Sequence, residues 1–153
     1  MLHNQTLLNL SPKKHYIIAY SGGVDSHVLL HLMSQKENLL AVHVNHGLHK
    51  DADLWAEHCQ KTCDALQIPL KIINVNVVKK PRHSLEALAR DARYEALKKL
   101  MNANTVLLTA HNKNDQAETV LLQLMRGAGA KGLSGMPYEK DFGQGKLMRP
   151  LLN

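Results

Sequence analysis

The sequence has little of what marks secreted, membrane-spanning or metal-stapled chains. It contains two cysteines in 153 residues, too few for a disulfide framework. Cys59 and Cys63 lie four apart in a stretch of helical period and so share a face, but no second pair exists to complete a zinc or iron–sulfur site. They read as buried thiols and fit a reducing compartment. No run approaches the roughly eighteen apolar residues needed to cross a bilayer. Residues 1–14 lack the charged start and long apolar core of a signal peptide. The expectation is a cytoplasmic chain with no membrane partner. Low-complexity segments and internal repeats are also absent, and the length suits one α/β domain rather than two.

What is present is a packable globule, 44% hydrophobic, with a formal charge of +6 and a pI near 9.4. That surplus favours an anionic partner such as nucleic acid, although ordinary soluble proteins often carry as much. Short apolar runs at 15–20, 39–44, 70–75 and 105–109 alternate with helix-period stretches at about 25–35, 51–66, 84–101 and 115–126. This alternation predicts βαβ units, hence a doubly wound, mostly parallel sheet with helices on both faces. Ser84 is a candidate N-cap, with Ala87 where a full capping box needs Glu or Gln. Gly143-Gln144-Gly145 resembles a hairpin tip ahead of a short strand at 146–148.

The densest signal is Ser21-Gly22-Gly23-Val24-Asp25-Ser26, between the first strand and the first helix. Two glycines allow positive φ and close backbone approach, and the helix amides beyond them carry partial positive charge. A Walker P-loop would set Lys beside Ser or Thr at the helix start; here Asp25 stands beside Ser26. A carboxylate next to phosphates repels them unless a cation bridges the two, so Asp25 implies magnesium shared with a di- or triphosphate. The plainer alternative is a tight turn with Asp25 complementing the helix dipole.

Ligands of open α/β sheets bind beyond the carboxyl ends of the strands, where strand order reverses. If strands one and four meet there, residues 21–26 face the loop containing His111, Asn114, Asp115 and Glu118. His111 can exchange protons or donate to a phosphate, and Asp115 and Glu118 put carboxylates on one side of a helix. With Asp25 they can hold magnesium; alternatively Asn114 or Asp115 caps the helix and Glu118 complements its dipole. A third loop, His43-Val44-Asn45-His46-Gly47-Leu48-His49, lacks the convergent ligand set of a zinc site. Its readings are a nucleotide-facing loop, with Asn45 and His46 offered to base or ribose, or a polar turn with His43 packed on the sheet. Arg90 and Arg93 share a side of one helix, which is equally a solvated face. Arg126, ahead of Gly127-Ala128-Gly129, can reach a phosphate or a nucleic-acid backbone, or serve as a helix C-terminal cation.

The residue 21–26 motif resembles the pyrophosphate loop of the N-type ATP pyrophosphatases, which adenylate a substrate oxygen and release pyrophosphate. Further blocks resemble the catalytic domain of the tRNA(Ile)-lysidine synthase family, and they span nearly the whole chain. They are His43-Val44-Asn45-His46-Gly47-Leu48, Glu86-Ala87 with Ala89-Arg90 and Arg93-Tyr94, Asp115-Gln116-Ala117-Glu118-Thr119, Arg126-Gly127-Ala128-Gly129, Gly132-Leu133-Ser134-Gly135-Met136 and Arg149-Pro150-Leu151-Leu152. The resemblance implies a ligase that adenylates the wobble cytidine of a tRNA(Ile) anticodon loop with ATP and Mg2+, then attaches free L-lysine. It implies Ser21, Gly22, Gly23, Val24, Asp25 and Ser26 on the phosphates, Asp25 and Asp115 on magnesium, and His111 and Asp115 at the reacting phosphate. Arg126 would face the tRNA, and Asn45 and His46 the nucleotide. The cytidine-thiolating enzymes of the same superfamily would need Cys-x-x-Cys pairs, which this chain lacks; a nucleotide-binding module without turnover is the alternative from another class. Two departures stand out: Asn114 where many members pair two aspartates, and an end at Asn153. The expectation is an incomplete catalytic domain without the family's further tRNA-binding domains, binding Mg-ATP but modifying tRNA poorly or not at all. Oligomeric state, a homodimer included, is left open.

Overall fold

A computed structural model describes residues 10–152. Within them, β1 (His15–Ala19), β2 (Leu39–Asn45), β3 (Leu70–Asn74) and β4 (Thr105–Leu108) alternate with α1 (Val24–Met33), α2 (Ala52–Ala65), α3 (Leu85–Lys98) and α4 (Lys113–Met125). A short α5 (Ala130–Leu133) and the hairpin strands β5 (Glu139–Phe142) and β6 (Gly145–Met148) follow. The six strands form one sheet in the order β3-β2-β1-β4-β6-β5, parallel except for β5.

The period-two alternation of β1 divides the core between the faces. Tyr16, Ile18 and Tyr20 join Leu29, Leu30 and Met33 of α1 and Cys59 and Cys63 of α2. Ile17 joins Val42, Leu107 and Leu147 and, from α3, Ala96 and Leu97. Helices therefore cover both faces, as the alternating pattern predicts. Both thiols are free and buried, and burial pushes each up to about 11, so they are inert at neutral pH. No helix among the described residues is long and apolar enough to cross a membrane.

The chain runs outward from β1 through β2 to β3, then returns to place β4 on β1's other side. The strand order thus reverses between β1 and β4, the pair that the sequence predicts would bring the two polar loops together. Residues 139–142 carry no strand signal because Glu-Lys-Asp is polar and the strand pairs only along the sheet's edge. Lys146 ties it down through Glu139 at 3.4 Å and Asp141 at 2.8 Å.

Candidate active site

At the β1/β4 reversal a cleft of about 200 Å³ opens beyond the carboxyl ends of the strands. Ser21, Gly23, Val24, Asp25 and Ser26 line one wall, and Thr109, Ala110, His111 and Asp115 the other, with Arg93 and Tyr94 of α3 closing it. Residues 21–26 hold their shape through internal bonds. The hydroxyls of Ser21 and Ser26 lie 3.0 Å apart, Ser26 donates to the Gly23 carbonyl at 2.9 Å, and the Gly23 amide donates to Ser21 Oγ at 3.3 Å. Gly22 has φ +85, whereas Gly23 is extended at φ −76. Only the first glycine therefore uses the conformational freedom expected of both.

The ends of the helices differ in a telling way. Ser84 caps α3 by accepting from the Ala87 amide, and Asn112 caps α4 with a full capping box. The start of α1, at Gly23, has no side-chain cap, so its first-turn amides are free to meet an anion. The cap of α4 corrects the expectation that Asn114 or Asp115 would fill that role. Asn112 accepts from both of their amides, and Asp115 answers by accepting the Asn112 amide on Oδ2 at 2.8 Å. That bond uses one carboxylate oxygen and steers the group into the cleft. Asn114 and Glu118 are exposed and do not line the cleft, so the residue that departs from the paired-aspartate pattern stands outside the lining.

Asp25 and Asp115 line the same space from opposite loops, and among the described residues no group of three or more His, Cys, Asp or Glu forms a metal cluster. Two carboxylates facing one cleft suit magnesium, which takes one or two protein carboxylates and completes its shell with phosphate and water.

His111 is partly buried, with Nδ1 2.9 Å from Thr109 Oγ1. Burial, followed by the charges of Arg149 and Arg90, lowers its pKa to about 4 against a weaker opposing pull from Asp115. The imidazole is therefore neutral at pH 7, and proton exchange near neutrality would require a bound anion to raise it. From about pH 6.5 down to about 4 the unfolded chain takes up a proton at His111 that the folded chain does not. Stability is thus full above this window and falls as pH drops through it. Thermal melts of His111→Gln should lose less stability across the window than wild type; parallel curves would contradict the buried neutral ring.

A second cavity of about 220 Å³ shares Ser21, Arg93 and Leu97 with the cleft and is lined by Val42, Val44, Asn45, His46, Ala52 and Trp55. Together the two fall within the roughly 300–1,000 Å³ of small-molecule sites. His46 Nδ1 is buried without a partner among the described residues, a polar atom that a ligand could satisfy. The Asn45 amide is already engaged, donating to Asp53 Oδ1 and accepting from the Gly47 amide, both at 2.9 Å. His43 packs on the sheet with Nδ1 2.9 Å from the Tyr20 carbonyl, matching its plainer reading.

The arginines are where sequence reasoning missed most. Arg93 lines both cavities, and it and Arg90 flank the Tyr94 ring at 5.6 and 5.2 Å. Arg149, nearly buried, donates to the Pro137 carbonyl at 2.6 Å. Arg126 is exposed at the C-cap of α4, outside the lining of both cavities. It stands roughly 16 Å along the helix from Asp115, at 1.5 Å per residue.

A doubly wound domain with an open helix start and two carboxylates lining one cleft at its switch point belongs to the nucleotide-binding class of α/β proteins. More narrowly, a family model described as a PP-loop domain matches residues 2–153, and the chain belongs to this ATP-binding family. It is 50% identical over 151 residues to the tRNA(Ile)-lysidine synthase of Coxiella burnetii, covering 95% of this chain and 34% of that protein. It is 48% identical over 161 residues to that of Pseudomonas fluorescens, covering 99% and 36%. The chain therefore spans about a third of the length of the curated relatives it matches. Among solved structures it is similar to the U34-tRNA thiolase NcsA of Methanococcus maripaludis, with TM-score 0.75, 20% identity, and coverage of 98% of this chain and 58% of that one. It is also similar to an NH3-dependent NAD synthetase of Campylobacter jejuni, with TM-score 0.59, 19% identity, and coverage of 99% and 63%. At such identity these two likenesses speak to the fold.

Proposed function

We propose that this chain is the ATP-activating part of a tRNA(Ile)-lysidine synthase. ATP adenylates the C2 oxygen of the wobble cytidine with release of pyrophosphate, and the amine of free L-lysine then displaces AMP. The observation that carries the reading is the pairing of Asp25 with Asp115 across a cleft that opens at the uncapped start of α1, in a chain half identical to an enzyme of that name.

The residue roles follow from chemistry. Ser21, Gly22, Gly23, Val24 and Ser26 cradle the phosphates with amides and hydroxyls, which stabilise charge building on departing pyrophosphate. Asp25 and Asp115 hold Mg2+, which when bound supplies charge neutralisation to the phosphates. His111, neutral before nucleotide binds, offers a ring N–H to the reacting phosphate, and Arg93 sets a cation beside it. The second cavity takes the nucleoside, with His46 as a polar contact; Asn45 shapes the loop through its bonds to Asp53 and Gly47. Arg126 contributes at the RNA surface rather than at the phosphates. Unstacked anticodon bases suit a protein cleft because their edges are free to be read.

The test is ATP/pyrophosphate exchange with and without tRNA(Ile) bearing a wobble cytidine. Exchange that requires the tRNA is expected. Exchange with ATP alone would point to another acceptor, and intact ATP binding with no exchange in any mixture would leave a binding module.

A further inference from the structure

The loop between β3 and α3 carries Lys79, Lys80, Arg82 and His83 in five consecutive positions around Pro81, all exposed. None of Lys79, Lys80 and Arg82 has a carboxylate partner within 4.0 Å among the described residues. We propose that this loop clamps the sugar-phosphate backbone of the RNA whose base enters the cleft, an inference that rests on the tRNA reading above.

Three observations support it. The first is position. Because β1, β2, β3 and β4 are parallel, their carboxyl ends share one edge of the sheet. At about 4.8 Å per strand the loop after β3 stands roughly 10 Å from the start of the pyrophosphate loop after β1. The loop thus leaves the same edge of the sheet as the cleft, where a polymer leading into it would pass.

The second is continuity. A groove lined by His46, Glu86, Ala89, Arg90 and Arg93 runs along the start of α3, and Arg93 is also in the wall of the cleft. Arg90 and Arg93 thus carry positive charge from the start of α3, where the loop ends, into the site. The sole acidic group in that lining is Glu86.

The third is backbone conformation. The His83 amide donates to the Lys80 carbonyl at 3.3 Å, closing a turn with Pro81 second and Arg82 third. Arg82 has φ +63. Pro second and positive φ third is a type II pattern, and the third position there favours glycine or asparagine. An arginine held against this preference is exposed, and guanidinium forks match phosphate oxygens.

The test is Lys79→Gln/Lys80→Gln/Arg82→Gly in the full chain, where glycine relieves the strained φ and so protects folding. An RNA hairpin carrying the tRNA(Ile) anticodon loop is titrated at several salt concentrations upward from about 50 mM. Affinity should fall at least ~10-fold at the lowest salt, and the slope of log K against log salt should shrink by about 2. Mg-ATP affinity should stay unchanged. Equal RNA affinity and slope in variant and wild type would overturn the clamp while leaving the tRNA reading intact. Loss of Mg-ATP binding alongside RNA binding would overturn a role confined to RNA. A wild-type chain that binds Mg-ATP but not the hairpin would overturn clamp and tRNA reading together.

Discussion

The effect of Asp25→Ala on ATP binding should change sign with magnesium. If Asp25 shares magnesium with the phosphates, as proposed, its removal should weaken Mg-ATP by ~10–100-fold, or about 1.4–2.7 kcal/mol. With magnesium chelated, the same carboxylate faces the triphosphate uncompensated. Unit charges about 4 Å apart in a water-exposed site repel by about 1 kcal/mol, so the variant should then bind free ATP a few-fold more tightly than wild type. Asp25 is exposed at the mouth of the cleft, so the water-like estimate is the relevant one. The reversal is specific to a metal-bridging role. An aspartate that only complements the helix dipole, or one that only shapes the turn, would change affinity in the same direction with and without magnesium. Calorimetric titration under both conditions separates these, and equal binding by both proteins in magnesium would remove Asp25 from the site.

Gly22→Ala should be the most damaging single methyl group in the pyrophosphate loop. The residue sits at φ +85, and a Cβ there would lie 2.9 Å from Cys59 Sγ. Left-handed backbone costs about 1–2 kcal/mol for a residue with a Cβ, and overpacking against a filled core adds about 1–3 kcal/mol. Cys59 has little room to yield. It is buried in the α1/α2 face of the core, and its sulfur is 3.5 Å from His43 Nδ1. His43 in turn holds the carbonyl of Tyr20, immediately before the loop. The strain therefore moves the amides proposed to meet the phosphates, and ATP affinity should fall with stability. Gly22→Ala/Cys59→Ala removes the clash but not the φ penalty. Thermal melts should show the double variant recovering part of the loss relative to Cys59→Ala alone; no recovery would mean that the backbone term dominates and that the thiol is a bystander.

The legible parts of the fold were those where burial dictates composition. β1, β2 and β4 are apolar runs because parallel strands are covered on both faces, and the helices between them follow from length and period. Their observed bounds differ from the sequence reading by a few residues. β5 was illegible because an edge strand needs only one neighbour and tolerates Glu-Lys-Asp. The cap of α4 was misassigned because Asn112, Asn114 and Asp115 are all competent caps, and only the turn geometry decides among them.

The arginines show the same limit at the site. Arg126 caps the far end of α4, which sets it roughly 16 Å along the helix from Asp115, at 1.5 Å per residue. That distance was available in the sequence. Arg93 is the harder case: side chains on a helix tilt toward its N-terminus, and this tilt lets a residue in the third turn of α3 reach the cleft. Spacing alone shows that Arg90 and Arg93 share a side but not which surface that side meets.

Backbone amide NMR during titration with Mg-ATP tests the location of the site most directly. The largest shifts are expected at Gly22, Gly23, Val24, Asp25 and Ser26 and at His111 to Asp115, with smaller ones at Asn45, His46 and Arg93 and none at Leu121, Leu124 or Arg126. Shifts centred on α4's exposed end, or none along residues 21–26, would contradict that location.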